Sequence, residues 1–154
     1  MKPKSQTGWM RQRRKRLSQG LCRDCGLVPF TNGRLTCKKC ATRACNRVKE
    51  QYRLLRIEVL IKLCGGTPHC QCPGCNVCIL EFLDIDHING KGADHRRKMG
   101  ARRENGRVVS GRAIIYWLRE NNYPEGFQVL CANCNKAKGQ KRYCPRRNRN
   151  HDTI

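Results

Sequence analysis

Acidic side chains are scarce in this chain: 11 Asp and Glu stand against 33 Lys and Arg, giving a formal net charge of +22. Aromatic residues are scarce as well, at 6%. No apolar run approaches the ~20 residues that a membrane-spanning helix needs. Each shortage excludes something. So little acid against so much base excludes a balanced surface and points to a polyanion partner. With 38% hydrophobic residues in 154, a large continuous core is excluded, which leaves one modest domain with at most a small satellite. A helical membrane span is excluded, so no membrane partner is expected. The N-terminal stretch "MKPKSQTGWMRQRRKRL" is basic and lacks the apolar segment of a secretory signal. An intracellular, reducing location is therefore the expectation.

Cysteine is what the chain has in abundance, 13 in all. In a reducing compartment, closely paired cysteines indicate metal rather than disulfide, and a small core needs such staples. The positive charge is concentrated too. Residues 2–16 and residues 136–149 each carry seven basic side chains and no acid. Neither run has the interleaved apolar face of an interfacial helix, so nucleic acid is favoured over a membrane surface. Arg13, Arg14, Lys15 and Arg16 in the first run, Lys136, Lys138, Lys141 and Arg142 in the second, and Arg96 and Arg97 between them are the expected nucleic-acid contacts.

Five segments are expected. Residues 1–21 read as a flexible basic arm and 145–154 as a basic tail. Residues 22–42 hold Cys22-x-x-Cys25 and Cys37-x-x-Cys40 around Pro29 and the turn pair Asn32-Gly33. Two residues between cysteines let a tight turn aim both sulfurs at one tetrahedral ion, so this is a zinc-ribbon-like unit on a short hairpin. Residues 43–64 form a connecting helix with Val48, Tyr52, Leu55 and Val59 at helical spacing, stopped by Gly65-Gly66. Residues 65–144 form the main domain. There "LEFLDIDH" alternates as a strand, residues 91–111 read as a basic loop, "GRAIIYWLRENNYPEG" as a short helix, "FQVL" as a strand, and 134–142 as a final basic helix.

A second four-cysteine zinc site follows from pairing Cys72-x-x-Cys75 with Cys131-x-x-Cys134. Cys75-x-x-Cys78 has the same spacing and Cys70 lies close by, so which cysteine accompanies Cys75 stays open. The cysteines left over, Cys45, Cys64, Cys70, Cys78 and Cys144, are expected to be ordinary thiols. Clamping residue 75 near residue 134 would draw the strand ending in Asp86-His87 towards the helix starting near Asn135. Carboxylate and amide oxygens suit a hard ion such as Mg²⁺ or Mn²⁺. A neutral imidazole beside them can take a proton from water. Base, ion and phosphate-binding surface are together the parts for phosphodiester hydrolysis. Adjacent strand residues face opposite ways, so Asp86 and His87 can share a site only where "INGKG" turns the backbone.

"FLDIDHING…GFQVLCANCNKAKG", preceded by "CPGC", resembles the HNH endonucleases of the ββα-metal fold, in particular the zinc-stapled members found in phages and bacterial mobile elements. The resemblance spans roughly residues 65–142. It implies a small α+β fold, a DNA substrate and a phage- or mobile-element-encoded protein of the bacterial cytoplasm; whether it acts as a monomer or as a dimer on DNA stays open. It makes His87 the general base, Asp86 and Asn135 the ligands of one catalytic divalent ion, and Cys72, Cys75, Cys131 and Cys134 the zinc ligands. The middle Asn of the family motif is Gly126 here; Asn121, Asn122 and backbone groups are the candidates for its bracing role, which stays unassigned. His95 reads more readily as a loop histidine on a basic surface than as an extra ligand, and His69 and His151 as surface residues. The rival function is a zinc-stabilised DNA-binding protein without catalysis, which has no use for Asp86, His87 and Asn135 as a set. A zinc deaminase is excluded because no histidine is followed by x-Glu.

Overall fold

The structure, a computed structural model, describes residues 4–30, 33–99 and 112–140. Among these residues it is a small α+β protein: α1 (Lys4–Ser18), α2 (Lys38–Cys64), β1 (Leu83–His87), α3 (Gly92–Lys98), α4 (Arg112–Glu120), β2 (Phe127–Cys131) and α5 (Ala132–Gly139). No described helix is long and apolar enough to cross a membrane. The chain divides into two compact units, Met1–Tyr52 and Arg53–Ile154. Each contains one four-cysteine group.

In the first unit the N-terminal segment is not the expected flexible arm but the helix α1. Its run of Met, Arg, Gln, Lys and Leu favours helix, and the cysteine turn that follows supplies a tertiary partner. The Arg16 guanidinium donates to the backbone carbonyls of Asp24 at 2.7 Å and Arg23 at 3.3 Å. Arg13 pairs with the Asp24 carboxylate at 3.1 Å. Gly26 closes the turn, with its N–H bonded to Cys22 O at 2.8 Å. Glycine is needed there twice over: φ is +67°, and a Cβ would lie 2.7 Å from Arg16 Nε. The expected hairpin is reduced to one antiparallel bridge, Leu21 to Pro29, among the described residues. Cys37 lies just before α2 and Cys40 on its first turn, so the start of a helix rather than a second strand holds the latter pair.

The second unit begins within α2, where Leu55, Val59 and Leu60 are buried. Val48, expected on the same stripe, is exposed. Gly65 ends the helix in the left-handed region at φ +67°. Leu60, Leu83, Val129 and Leu130 form the buried core together with Cys70, Cys75, Cys131 and Cys134. Half of that core is cysteine, so its stability is tied to whatever the sulfurs hold.

β1 and β2 pair antiparallel with Leu83 opposite Cys131, Ile85 opposite Val129 and His87 opposite Phe127. These residues share one face of the two-stranded sheet, while Asp84, Asp86, Gln128 and Leu130 share the other. β2 runs straight into α5, with Cys131 as its N-cap residue. Residues Gly92–Lys98, expected as loop, form α3, supported by an ion pair between Asp94 and Arg97 at 3.0 Å. The rest of the expected basic loop, from residue 100 to residue 111, lies outside the described residues.

Candidate functional site

Two sets of four thiols are the most definite chemical feature. Cys22, Cys25, Cys37 and Cys40 form one set and Cys70, Cys75, Cys131 and Cys134 the other, with the sulfurs of each set within 4.8 Å of one another. The Cys25–Cys37 and Cys75–Cys131 sulfurs are 3.9 Å and 3.8 Å apart. The edge of a tetrahedron with metal–sulfur bonds of ~2.3 Å is ~3.8 Å. Both groups could hold a metal ion and are compatible with zinc.

Their proton chemistry is mixed. Burial opposes ionisation of Cys22, yet the N–H groups of Cys25, Cys37 and Asp24 outweigh it and bring the thiol down to about 6. Burial pushes Cys40 up to about 11. In the second set burial pushes Cys70 up to about 11, whereas the Cys134 N–H and the neighbouring thiols overcome burial and lower Cys131. Ionising one thiol opposes ionisation of the next, so a full thiolate set needs a cation at its centre.

The fourth cysteine of the second set is Cys70 rather than Cys72, which corrects the expected ligand list. The cause is long-range pairing. Gln71 N–H donates to Val129 O at 2.8 Å and the Gln71 side chain accepts from Val129 N–H at 2.7 Å. That alignment brings the Cys70 sulfur to 3.1 Å from the Cys131 N–H. Cys72 instead starts the Pro73-Gly74 turn, with its carbonyl accepting from Cys75 N–H at 3.0 Å. Cys45 and Cys78 are exposed and Cys64 is partly buried; Cys144 lies outside the described residues.

The end of β1 carries the second feature. The turn after β1 does not bring the Asp86 and His87 side chains to one face as expected: both residues lie within the regular strand and extend to opposite faces of the sheet, where each meets its own partner. The Asp86 carboxylate accepts from Gln128 Nε2 at 2.8 Å and forms an ion pair with Lys138 of α5. The same ammonium donates to the His87 carbonyl at 2.5 Å. The His87 ring lies against Phe127 with 4.7 Å between centroids, and its Nε2 is 2.8 Å from Nδ1 of His95 on α3. Burial first, and then repulsion from His95, hold the His87 imidazole below its ordinary value, with Asp86 pulling partly the other way. Asn135 is half-buried on α5, one turn ahead of Lys138. It is Lys138 that reaches Asp86.

His95 is not the surface loop histidine expected. It sits on a helix, partly buried, with its ring edge-on to Trp117 at 4.3 Å. Asn121 caps its own helix by donating to Trp117 O at 2.8 Å. The Gly126 carbonyl accepts from Ile88 N–H at 3.0 Å and so holds the turn after β1, at a φ of +98° that suits glycine. His69 is exposed, its Nδ1 bonded to Thr67 O at 2.9 Å, and His151 lies outside the described residues.

The basic side chains divide by environment. Arg14, Lys15, Arg96, Arg97 and Lys136 are exposed. Arg13 and Arg16 are engaged with the cysteine turn, and Lys138 with Asp86. Lys141 and Arg142 lie outside the described residues. Comparison with family models, with curated proteins and with solved structures returns no match.

Proposed function

We propose that this chain is a metal-dependent DNA endonuclease of the HNH type, its two four-cysteine groups each holding a structural zinc ion. The observation that carries the reading is at the end of β1. There a neutral-leaning imidazole and a cation-accepting carboxylate stand on consecutive residues of a protein with a charge of +22. The succession of β1, β2 and α5, with Cys131 and Cys134 at the β2–α5 junction, supports it as well.

The donors suit a hard divalent ion. The Asp86 carboxylate and the His87 carbonyl already converge on one cationic nitrogen, that of Lys138, and oxygen is what Mg²⁺ or Mn²⁺ takes. Asp86 and Asn135 would hold the ion in place of the Lys138 ammonium. When bound, it supplies positive charge to the scissile phosphate and the departing oxygen. His87, kept neutral by burial, takes the proton from the attacking water. Exposed Arg14, Lys15, Arg96, Arg97 and Lys136 bind backbone phosphates, which positions the duplex without reading its sequence. One such site per chain cuts one strand at a time.

Two observations favour the rival, a zinc-stabilised DNA-binding protein without catalysis: Lys138 already neutralises Asp86, and the Asp86 and His87 side chains lie on opposite faces of the sheet. Supercoiled plasmid incubated with zinc-loaded protein separates the two. Nicking that requires added Mg²⁺ or Mn²⁺ and stops with EDTA supports the nuclease; retained DNA with no nicking under any metal supports the binder.

A further inference from the structure

The HNH resemblance leaves the residue that orients His87 unassigned. We propose that His95 is that residue: a positioning residue that fixes both the ring orientation of His87 and which of its nitrogens carries the proton. The inference rests on the nuclease reading for its catalytic meaning, though not for its geometry.

His87 Nε2 and His95 Nδ1 face each other at 2.8 Å, close enough that one proton must lie between them. Two arrangements satisfy that bond. In the first, His87 donates from Nε2–H and His95 accepts at Nδ1, so both rings are Nε2–H tautomers. In the second, His95 donates from Nδ1–H and both rings are Nδ1–H tautomers. The Nε2–H form is the more stable neutral tautomer of a free histidine side chain, and the first arrangement gives it to both residues. A hydrogen bond at one ring nitrogen settles the protonation of the other. His87 Nδ1 is therefore the nitrogen left with a free lone pair.

The surroundings agree. Four rings from four elements pack around the bond: His87 on Phe127, His95 edge-on to Trp117, and Trp117 5.8 Å from Phe127. They fix the planes of both imidazoles, so the bond cannot be lost by simple ring rotation. On the other side of His87 stands Gly92, where a Cβ would come to 3.1 Å from Nδ1. The glycine keeps the lone-pair side of the base from being crowded, which a water approaching Nδ1 requires.

The test uses the full-length, zinc-loaded protein with two substitutions. His95→Phe retains a ring against Trp117 and Phe127 but offers no acceptor. His95→Asn places an amide oxygen near the position of Nδ1. Long-range ¹H–¹⁵N spectra above pH 7.5 should show His87 of the parent protonated at Nε2 and bare at Nδ1. The preference should weaken to that of a free histidine in His95→Phe and be kept in full in His95→Asn. Cleavage should follow: kcat falls roughly 10–100-fold in His95→Phe, KM stays within about twofold because phosphate contacts are intact, and His95→Asn recovers most of the rate. His87 protonated at Nδ1 in the parent, or full kcat in His95→Phe, would overturn the proposal. A parent that shows the expected tautomer and cuts nothing would remove the nuclease reading and leave the positioning of His87 by His95 standing.

Discussion

Cys70 and Cys131 meet across most of the second unit: the Cys131 backbone N–H donates to the Cys70 sulfur at 3.1 Å. A hydrogen bond of this kind favours a thiolate at Cys70, against the burial that opposes one. It also identifies Cys70 as the sulfur that α5 and β2 are built around, although Cys72 has the more familiar spacing to Cys75.

Replacing these two cysteines should therefore have different consequences. Cys70→Ser is expected to release one of two bound zinc equivalents and to unfold the second unit at a markedly lower temperature, because the core loses its central cross-link. Cys72→Ser should retain both equivalents. Metal content by mass spectrometry of the folded protein decides this, and loss of zinc from Cys72→Ser alone would reverse the assignment.

In the first unit the arginines of α1 are expected to separate into two kinds. Arg16→Ala removes charged hydrogen bonds to two carbonyls of the cysteine turn and should cost about 1–3 kcal/mol in the stability of that unit. Arg14→Ala should leave stability within about 0.5 kcal/mol while reducing the salt dependence of DNA binding by roughly one unit of slope. Thermal melts and binding isotherms at several salt concentrations measure the two effects; equal melts for both variants would contradict the division.

Lys138 and a divalent ion should compete for Asp86. The Lys138 side chain keeps 32% and Asp86 16% of its surface exposed, and an ion pair so screened by water is worth about 1 kcal/mol or less. Lys138→Gln is thus expected to lower the Mg²⁺ concentration for half-maximal cleavage by up to roughly fivefold. An unchanged or raised Mg²⁺ requirement would mean that Lys138 serves the phosphate instead.

The pH dependence follows from His87. Its folded-state value lies below the ordinary 6.5, through burial first and the neighbouring His95 second. The folded form thus binds its proton later than the unfolded chain as pH falls. The stability this group contributes is full above 6.5 and declines as pH drops through the lower folded value. The acid limb of a plot of kcat/KM against pH should accordingly fall below 6.5; a limb at or above that value would contradict the burial argument.

How far the molecule could be read in advance depended on how local each interaction is. Cys22, Cys25, Cys37 and Cys40 were legible because a two-residue gap sets its own geometry, and β1, α4 and β2 were legible from their short apolar patterns. Cys70 was not, because its place is set by Gln71 pairing with Val129, far along the chain. α1 looked disordered in isolation since its partners, Asp24 and two backbone carbonyls, lie beyond its end. His95 became a partner of His87 only once Gly92–Lys98 turned out to be a helix; the Asp94–Arg97 pair was the available signal for that helix. The Asp86–Lys138 contact joins a strand to a helix through one long side chain, and no spacing rule announces such a pair.

The central claim is that His87 drives phosphodiester hydrolysis. The most direct measurement is the single-turnover rate of nicking on supercoiled plasmid in Mg²⁺, for the zinc-loaded parent and for His87→Ala purified identically. Loss of a general base should lower the rate by ~10²–10⁴-fold while DNA binding stays unchanged. Equal rates from the two proteins would show that His87 is not the base and that the account of the site is wrong.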